Sequence, residues 1–219
     1  MLRDTWNKCA YNHWEQIHQS YDKQTIKTDD WLMNYDHIIE RISKPIIDLG
    51  CGSGNDTLYL MEKGKKVIAC DQSENAIRNI QKNFPDIYDT RRFNMLDTFP
   101  VETQSCELVI ADLCLHYFTE EDTNHVIQEI KRILTAEGYL LFRVNSVNDI
   151  NHGAGKGTVI ERNCYQTEDG MLKRFFDEED ITRFFREFRI LSMQEKTMTR
   201  YRLEKQLYEV CVQKVKRTA

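Results

Sequence analysis

The chain has 219 residues, enough for one well-buried domain with a small appendage and too few for two catalytic domains. Its formal net charge of -5 and pI near 5.7 argue against a protein whose main business is the phosphate backbone of nucleic acid, because such binding needs clustered cations. With a mean hydropathy of -0.61, it contains no run approaching the roughly 20 apolar residues of a bilayer span, so no membrane partner is expected.

In chain order, residues 1–28 carry Trp6, Tyr11, Trp14 and Tyr21 and read as a helical segment preceding one domain at 29–219. A helical pattern over Asp30–Ile42 comes next, then short β-branched runs alternate with amphipathic stretches. The expected strands are Pro45–Leu49, Lys66–Cys70, Thr90–Phe93, Glu107–Ala111 and Tyr139–Val144, with helices at Asp56–Glu62, Glu74–Asn83 and Glu121–Leu134. Thr119, with Asp122 three residues on, is a weak capping box, and Gly138 reads as a helix stop. Residues 145–170 are polar, rich in Gly and Asn, and too long for an ordinary connection, so they are expected to form an active-site loop. A helix at Glu178–Phe188 and alternating runs at Arg189–Lys196 and Leu207–Val215 complete the pattern. The expected fold is therefore α/β: a Rossmann-like, doubly wound, mostly parallel seven-stranded sheet ending in an antiparallel C-terminal edge hairpin.

The strongest signal is Ile46-Ile47-Asp48-Leu49-Gly50-Cys51-Gly52-Ser53-Gly54, an apolar strand running into a glycine-rich turn and then a helix. Glycines at 50, 52 and 54 allow a tight bend and close approach of a ligand to main chain, next to free N–H groups of the helix. The spacing is G-x-G-x-G followed by Asn55 and Asp56, not the G-x-G-x-x-G that seats a pyrophosphate on a helix N-terminus, which disfavours a dinucleotide. Asp71 closes the next strand, where a carboxylate can accept from both ribose hydroxyls of a nucleoside. Taken singly, the same residues admit plainer readings: a turn, a helix cap at Asp71, core filling by Cys51 and Cys70.

The succession D-L-G-C-G-S-G, V-I-A-C-D, F-N-M-L-D and L-V-I-A-D-L-C-L-H-Y resembles, in order and content, the motifs of class I S-adenosylmethionine-dependent methyltransferases over about residues 29 to 145. The resemblance implies S-adenosylmethionine as cofactor, with its methionine moiety against Asp48, Gly50 and Gly52, its ribose on Asp71, its adenine among Gln72, Asn94 and Met95, and Gly54 in the same cofactor-binding turn. Asn94 stands where the family often has Asp, and its amide can still pair with an adenine edge. Residues 1–28 fall where related enzymes place a lid over the methionine end. Tyr21 within this segment and Trp31 just beyond it are the candidates to face the sulfonium, a cation suited to aromatic faces.

Methyl transfer from a sulfonium needs an acceptor held in line in a dry pocket, and a base only if the acceptor is protonated. The candidates beyond the sheet's C-terminal edge are Asp112, His116 and Arg143. His116 has the appropriate free pKa yet sits in the apolar Leu113–Phe118 stretch, so it is either the base or a buried core histidine. Asp112 either holds the cofactor's amino group or the acceptor's charge, or caps a turn. The histidines at 13, 18, 37, 116, 125 and 152 lack metal-ligand spacing, so no metal is expected. The seven cysteines include no CxxC pair and follow an N-terminus without an apolar signal core, so reduced thiols and a cytoplasmic location are expected.

The segment after strand four is Ala111-Asp112-Leu113-Cys114, without the Pro-Pro motif of exocyclic-amine methyltransferases, and no Pro-Cys occurs. A small-molecule methyl acceptor is therefore expected, with no DNA partner; the compact size is broadly similar to the tellurite-resistance and thiopurine methyltransferase groups. The alternatives are a protein- or RNA-modifying methyltransferase and a non-catalytic S-adenosylmethionine-binding module.

Overall fold

The computed structural model describes residues 2–20, 26 and 30–216. Helix α1 (Leu2–Gln19) lies ahead of a 3₁₀ turn at Asp30–Tyr35 and the short α2 (Asp36–Ile39). The βα units follow: β1 (Ile46–Leu49), α3 (Asn55–Glu62), β2 (Val67–Asp71), α4 (Glu74–Asn83), β3 (Asp89–Arg92), β4 (Cys106–Asp112), α5 (Glu120–Ile133) and β5 (Leu134–Asn145). Beyond them lie β6 (Thr158–Glu161), β7 (Cys164–Gln166), β8 (Leu172–Arg174), α6 (Glu178–Phe184), β9 (Phe188–Met198) and β10 (Lys205–Lys214).

The main sheet is seven-stranded in the order β3-β2-β1-β4-β5-β10-β9. Strands β1 to β5 pair in parallel, while β10 runs antiparallel to both β5 and β9, which makes the expected C-terminal hairpin the sheet's edge. Strand order reverses between β1 and β4, so the crevice outside their C-terminal ends is where an open α/β sheet binds ligands.

Strand alternation sorts the side chains. Ile47, Leu49, Val109, Ala111, Leu140 and Phe142 point into a core built with α5 and α6. Ile46, Leu108, Ile110 and Leu141 pack on the opposite face with Trp31, Leu32, Ile39 and Leu60. The residues two positions further along each strand on that second face are Asp48, Asp112 and Arg143, so the polar group continues a hydrophobic face at its C-terminal end. Thr119 caps α5 as expected, accepting from the Asp122 N–H at 3.2 Å.

Three local expectations change. Gly138 does not stop α5: the chain turns straight into β5 at Leu134, and the left-handed residue in the turn is Glu137 at φ 63°. Asp30–Ile42 is not one helix but a 3₁₀ turn followed by a single helical turn. The 145–170 stretch is not a loop but contributes a 3₁₀ turn at Ile150–His152 and most of a three-stranded antiparallel sheet, β6-β7-β8. Buried Arg174 ties that sheet to the main domain by donating to the Phe118 carbonyl at 3.1 Å, and within the sheet it pairs with Glu161, whose carboxylate accepts from the Glu120 N–H at 2.7 Å. Among the described residues no helix is long and apolar enough to cross a membrane.

Candidate functional site

The C-terminal ends of β1, β2 and β4 open into a cavity of about 780 Å³, within the size range of small-ligand sites. Its floor is the turn after β1. Gly50, at φ 72°, hydrogen-bonds the Cys70 carbonyl, and a Cβ there would lie 2.6 Å from Cys114 Cβ, so only glycine fits. Gly52, at φ 51°, donates its N–H to Asp71 Oδ2 at 3.0 Å, and Ser73 donates to Asp71 Oδ1 at 2.9 Å. Each Asp71 oxygen thus spends one acceptor site on main chain and keeps another for a ligand.

On the other side of the glycine turn lies an unusual concentration of acid. Asp48, Asp56, Asp71 and Asp112 all line the cavity. Burial, opposed by the Thr57 hydroxyl at 2.5 Å and reinforced by Asp112 and Asp71, pushes Asp48 up to about 7. Burial, reinforced by the charges of Asp112 and Asp48, drives Asp56 well above the usual carboxylate range, although Arg143 and the Trp31 indole N–H, which donates to it at 2.9 Å, oppose the shift. Burial also pushes against ionisation of Asp112, but Arg143 and Arg200 overcome it and hold that carboxyl low. Arg143 grips Asp112 in a fork, Nε to Oδ1 at 2.6 Å and Nη2 to Oδ2 at 2.7 Å, and its guanidinium lies over the Trp31 ring at 4.6 Å. Beyond Asp112 the chain turns sharply through Leu113, a left-handed leucine at φ 53°, the kind of strain that concentrates at functional sites.

Helix α1 covers this floor. Glu15 accepts from the Ser73 hydroxyl at 2.6 Å, Asn75 Nδ2 donates to the Glu15 carbonyl at 3.2 Å, and Asn79 Nδ2 donates to the His18 carbonyl at 2.7 Å, which fixes α1 on the start of α4. Trp14 and His18 then face the cavity, stacked at 5.8 Å, and Trp14 meets Tyr117 edge-on at 5.7 Å. Burial lowers the His18 pKa while Asp71 and Glu15 oppose it.

With that geometry in hand, comparison with known proteins is informative. Residues 47–142 match the family model described as a methyltransferase domain. The chain is 23% identical over 207 residues to the tRNA N(3)-methylcytidine methyltransferase of Schizosaccharomyces pombe, covering 84% of this chain and 83% of that protein. It is 28% identical over 153 residues to the tRNA N(3)-cytidine methyltransferase of Gallus gallus, covering 64% of this chain but only 41% of that protein. Among solved structures, the Burkholderia thailandensis 1,6-didemethyltoxoflavin-N1-methyltransferase superposes with a TM-score of 0.68 at 16% identity, covering 94% of this chain and 84% of that one. The chain has the class I S-adenosylmethionine-dependent methyltransferase fold. The cavity occupies the ligand crevice of that fold.

Within this fold, Asp48, Gly50, Gly52, Asp71, Gln72, Asn94, Met95 and Asp112 gather at the cavity. Gly54 does not: at φ 89° it is the N-cap of α3, and a Cβ there would come within 2.6 Å of Ile80 Cδ1 and 2.7 Å of Phe84, so it serves packing. Trp31 and Arg143 stand one layer behind, acting on Asp56 and Asp112. Tyr21 lies outside the described residues. His116 is buried off the cavity, its carbonyl accepting from the Arg174 N–H, and burial together with Lys205 and Lys173 drives its pKa well below the ordinary value. No residue of 145–170 lines the cavity; the small sheet instead backs the Leu113–Phe118 wall. The residues sequence reasoning missed are Asp56, Trp14, His18, Arg200 and Tyr201. Asp56, an acid in the first turn after the glycines, and Trp14, within the aromatic N-terminal segment, had local signals.

Proposed function

We propose that this chain is an S-adenosylmethionine-dependent methyltransferase that transfers a methyl group to a small, flat acceptor. One observation carries the reading: a single cavity has spare carboxylate acceptor sites at Asp71 and, across a glycine turn, three more buried acids at Asp48, Asp56 and Asp112. That arrangement suits a ligand with a ribose at one end and a cationic amino acid at the other, and it repels a pyrophosphate. In this reading Asp71 holds the ribose, Asp56 and Asp112 hold the ammonium, and Gln72, Asn94 and Met95 surround the adenine. Leu96 N–H donates to the Asn94 amide oxygen at 3.0 Å, so the amide nitrogen is the group assigned to the adenine edge.

Bound there, the cofactor supplies an electrophilic methyl on a sulfonium. The protein's own contribution is to exclude water beneath α1, to hold the acceptor against Trp14 and Tyr117, and to fix opposite charges with Asp112 and Arg143. With His116 turned away, no histidine beyond α1 lines the site among the described residues, which suits an acceptor whose lone pair attacks directly.

A second reading, an RNA base as acceptor, is favoured by the tRNA cytidine methyltransferases among the relatives, which stand at least as strongly as the small-molecule enzyme among the solved structures. Membership of the tellurite-resistance or thiopurine groups would be a narrower form of the first. Incubating the protein with methyl-labelled S-adenosylmethionine and, in parallel, total tRNA or a protein-free metabolite extract separates them. Label in the extract supports the small-molecule reading; label in tRNA alone replaces it with the second.

A further inference from the structure

A second cleft, of about 390 Å³, lies at the antiparallel side of the main sheet, between the 3₁₀ turn with α2 and the last two strands. It shares no lining residue with the cofactor cavity. Register places its central side chain. Glu209 on β10 pairs with Arg143 on β5 and with Gln194 on β9, while Arg143 pairs with Asp112, so the polar row that begins at the cavity runs across the sheet and ends in this cleft.

Glu209 is only 7% exposed, yet among the described residues it has no cationic partner. Buried acids elsewhere do: Asp149 is paired with Lys205 at 2.7 Å, and Asp180 with Arg162 at 2.7 Å and Arg183 at 3.1 Å. Glu209 instead accepts from two neutral donors, Asn34 Nδ2 at 3.1 Å and Tyr35 Oη at 3.3 Å, both on Oε1. Burial raises the Tyr35 phenol above its ordinary range, so it stays a donor. Oε2 receives no hydrogen bond among the described residues, and the residue lines the cleft. A carboxylate taken from water and held by neutral donors on one oxygen keeps much of its desolvation cost, and a cation brought to the other oxygen offsets it.

The rest of the cleft says what else that cation carries. Lys196 lies one register pair along β9 on the same face, exposed and without an ion pair to Glu209, which places a positive charge at the rim. Buried Ile38 and the 44% exposed Leu191 supply apolar surface between them. We propose that this cleft binds a small amino-acid zwitterion, its ammonium on Glu209, its carboxylate toward Lys196 and its apolar side chain against Ile38 and Leu191. Nothing in this cleft depends on the methyltransferase reading.

The test is an amide-detected NMR titration of the whole chain with L-leucine, with isocaproate, which lacks the ammonium, and with isoamylamine, which lacks the carboxylate. Saturating S-adenosylhomocysteine is present to occupy the acids of the cofactor cavity. Wild type is expected to bind leucine about tenfold or more tighter than isocaproate, and by a smaller margin tighter than isoamylamine, because Lys196 is exposed. The shifts should gather at residues 34–38 and 191–196. Glu209→Gln, which keeps Oε1 for its two donors, should lose the preference over isocaproate, and Lys196→Ala the preference over isoamylamine, with a thermal melt reporting that both fold. Equal binding of leucine and either analogue by wild type, no binding of leucine, a preference over isocaproate that survives in Glu209→Gln, or shifts confined to the cofactor cavity overturns the proposal. Failure to bind S-adenosylhomocysteine falls instead on the methyltransferase reading, and the Glu209→Gln comparison still decides the cleft.

Discussion

Replacing Asp71 with alanine removes a carboxylate that serves two masters. Its main-chain bonds to Gly52 and Ser73 hold the glycine turn and the start of α4, and its two remaining acceptor sites are assigned to the ribose hydroxyls. Hydrogen bonds to a charged group contribute about 1.5 to 3 kcal/mol each. Two of them lost to the ligand amount to about 3 kcal/mol or more, a weakening of roughly a hundredfold in Kd. The assay is calorimetric titration of wild type and Asp71→Ala with S-adenosylhomocysteine and with its 2′,3′-dideoxy analogue. Wild type should distinguish the two ligands by about that factor, and the variant should bind both alike, because the partner of the missing hydroxyls is gone. A thermal melt checks that the variant folds, the two main-chain N–H donors left without the carboxylate showing as a lower Tm. Should Asp71→Ala still discriminate between the ligands, the ribose is held elsewhere and the orientation of the cofactor is wrong.

The acid cluster makes cofactor binding proton-linked. Asp48 is raised to about 7 in the empty protein, chiefly by burial, so its contribution to stability is fully present below its unfolded value near 3.8 and lost as pH rises through about 7. A cationic ligand favours the ionised form, so binding should release protons near pH 6.5 and tighten as pH rises through 7, and Asp48→Asn should flatten both effects in calorimetry across buffers. Arg143→Met leaves Asp112 among Asp48 and Asp56 without its fork, and denaturant unfolding should show a loss of about 3 to 5 kcal/mol. Gly54→Ala forces a Cβ against Ile80 and Phe84 at a left-handed position and should cost about 2 kcal/mol of stability or more in the same assay, while cofactor affinity stays within about threefold.

How much of this could be read from the sequence follows from the range of the interactions involved. The parallel sheet was readable because each strand and helix carries its own period, and β1 and β4 carry Asp48 and Asp112 two residues past Ile46 and Ile110, which assigns both acids to one face. The glycine turn was readable as a unit, although only the structure separates Gly50 and Gly52, at the ligand, from Gly54, packed on α4. The strands of the small sheet are three or four residues long, too short for alternation to show, so 145–170 looked like a loop. His116, after β4, left two readings open, base or buried core histidine, and burial beside Lys173 and Lys205 past the chain's reversal at Leu113 fits the second. Trp14, His18 and Arg200 reach the cavity through the docking of α1 on α4 and the register of β9 on β10, pairings across distant sequence that no local pattern encodes.

The most direct test of the account is calorimetric titration of the wild-type protein with S-adenosylmethionine, S-adenosylhomocysteine and NAD. Micromolar binding of the first two without the third is the predicted result. NAD binding, or no binding by any of them, would contradict the reading of the acid-lined cavity as a nucleoside and ammonium site.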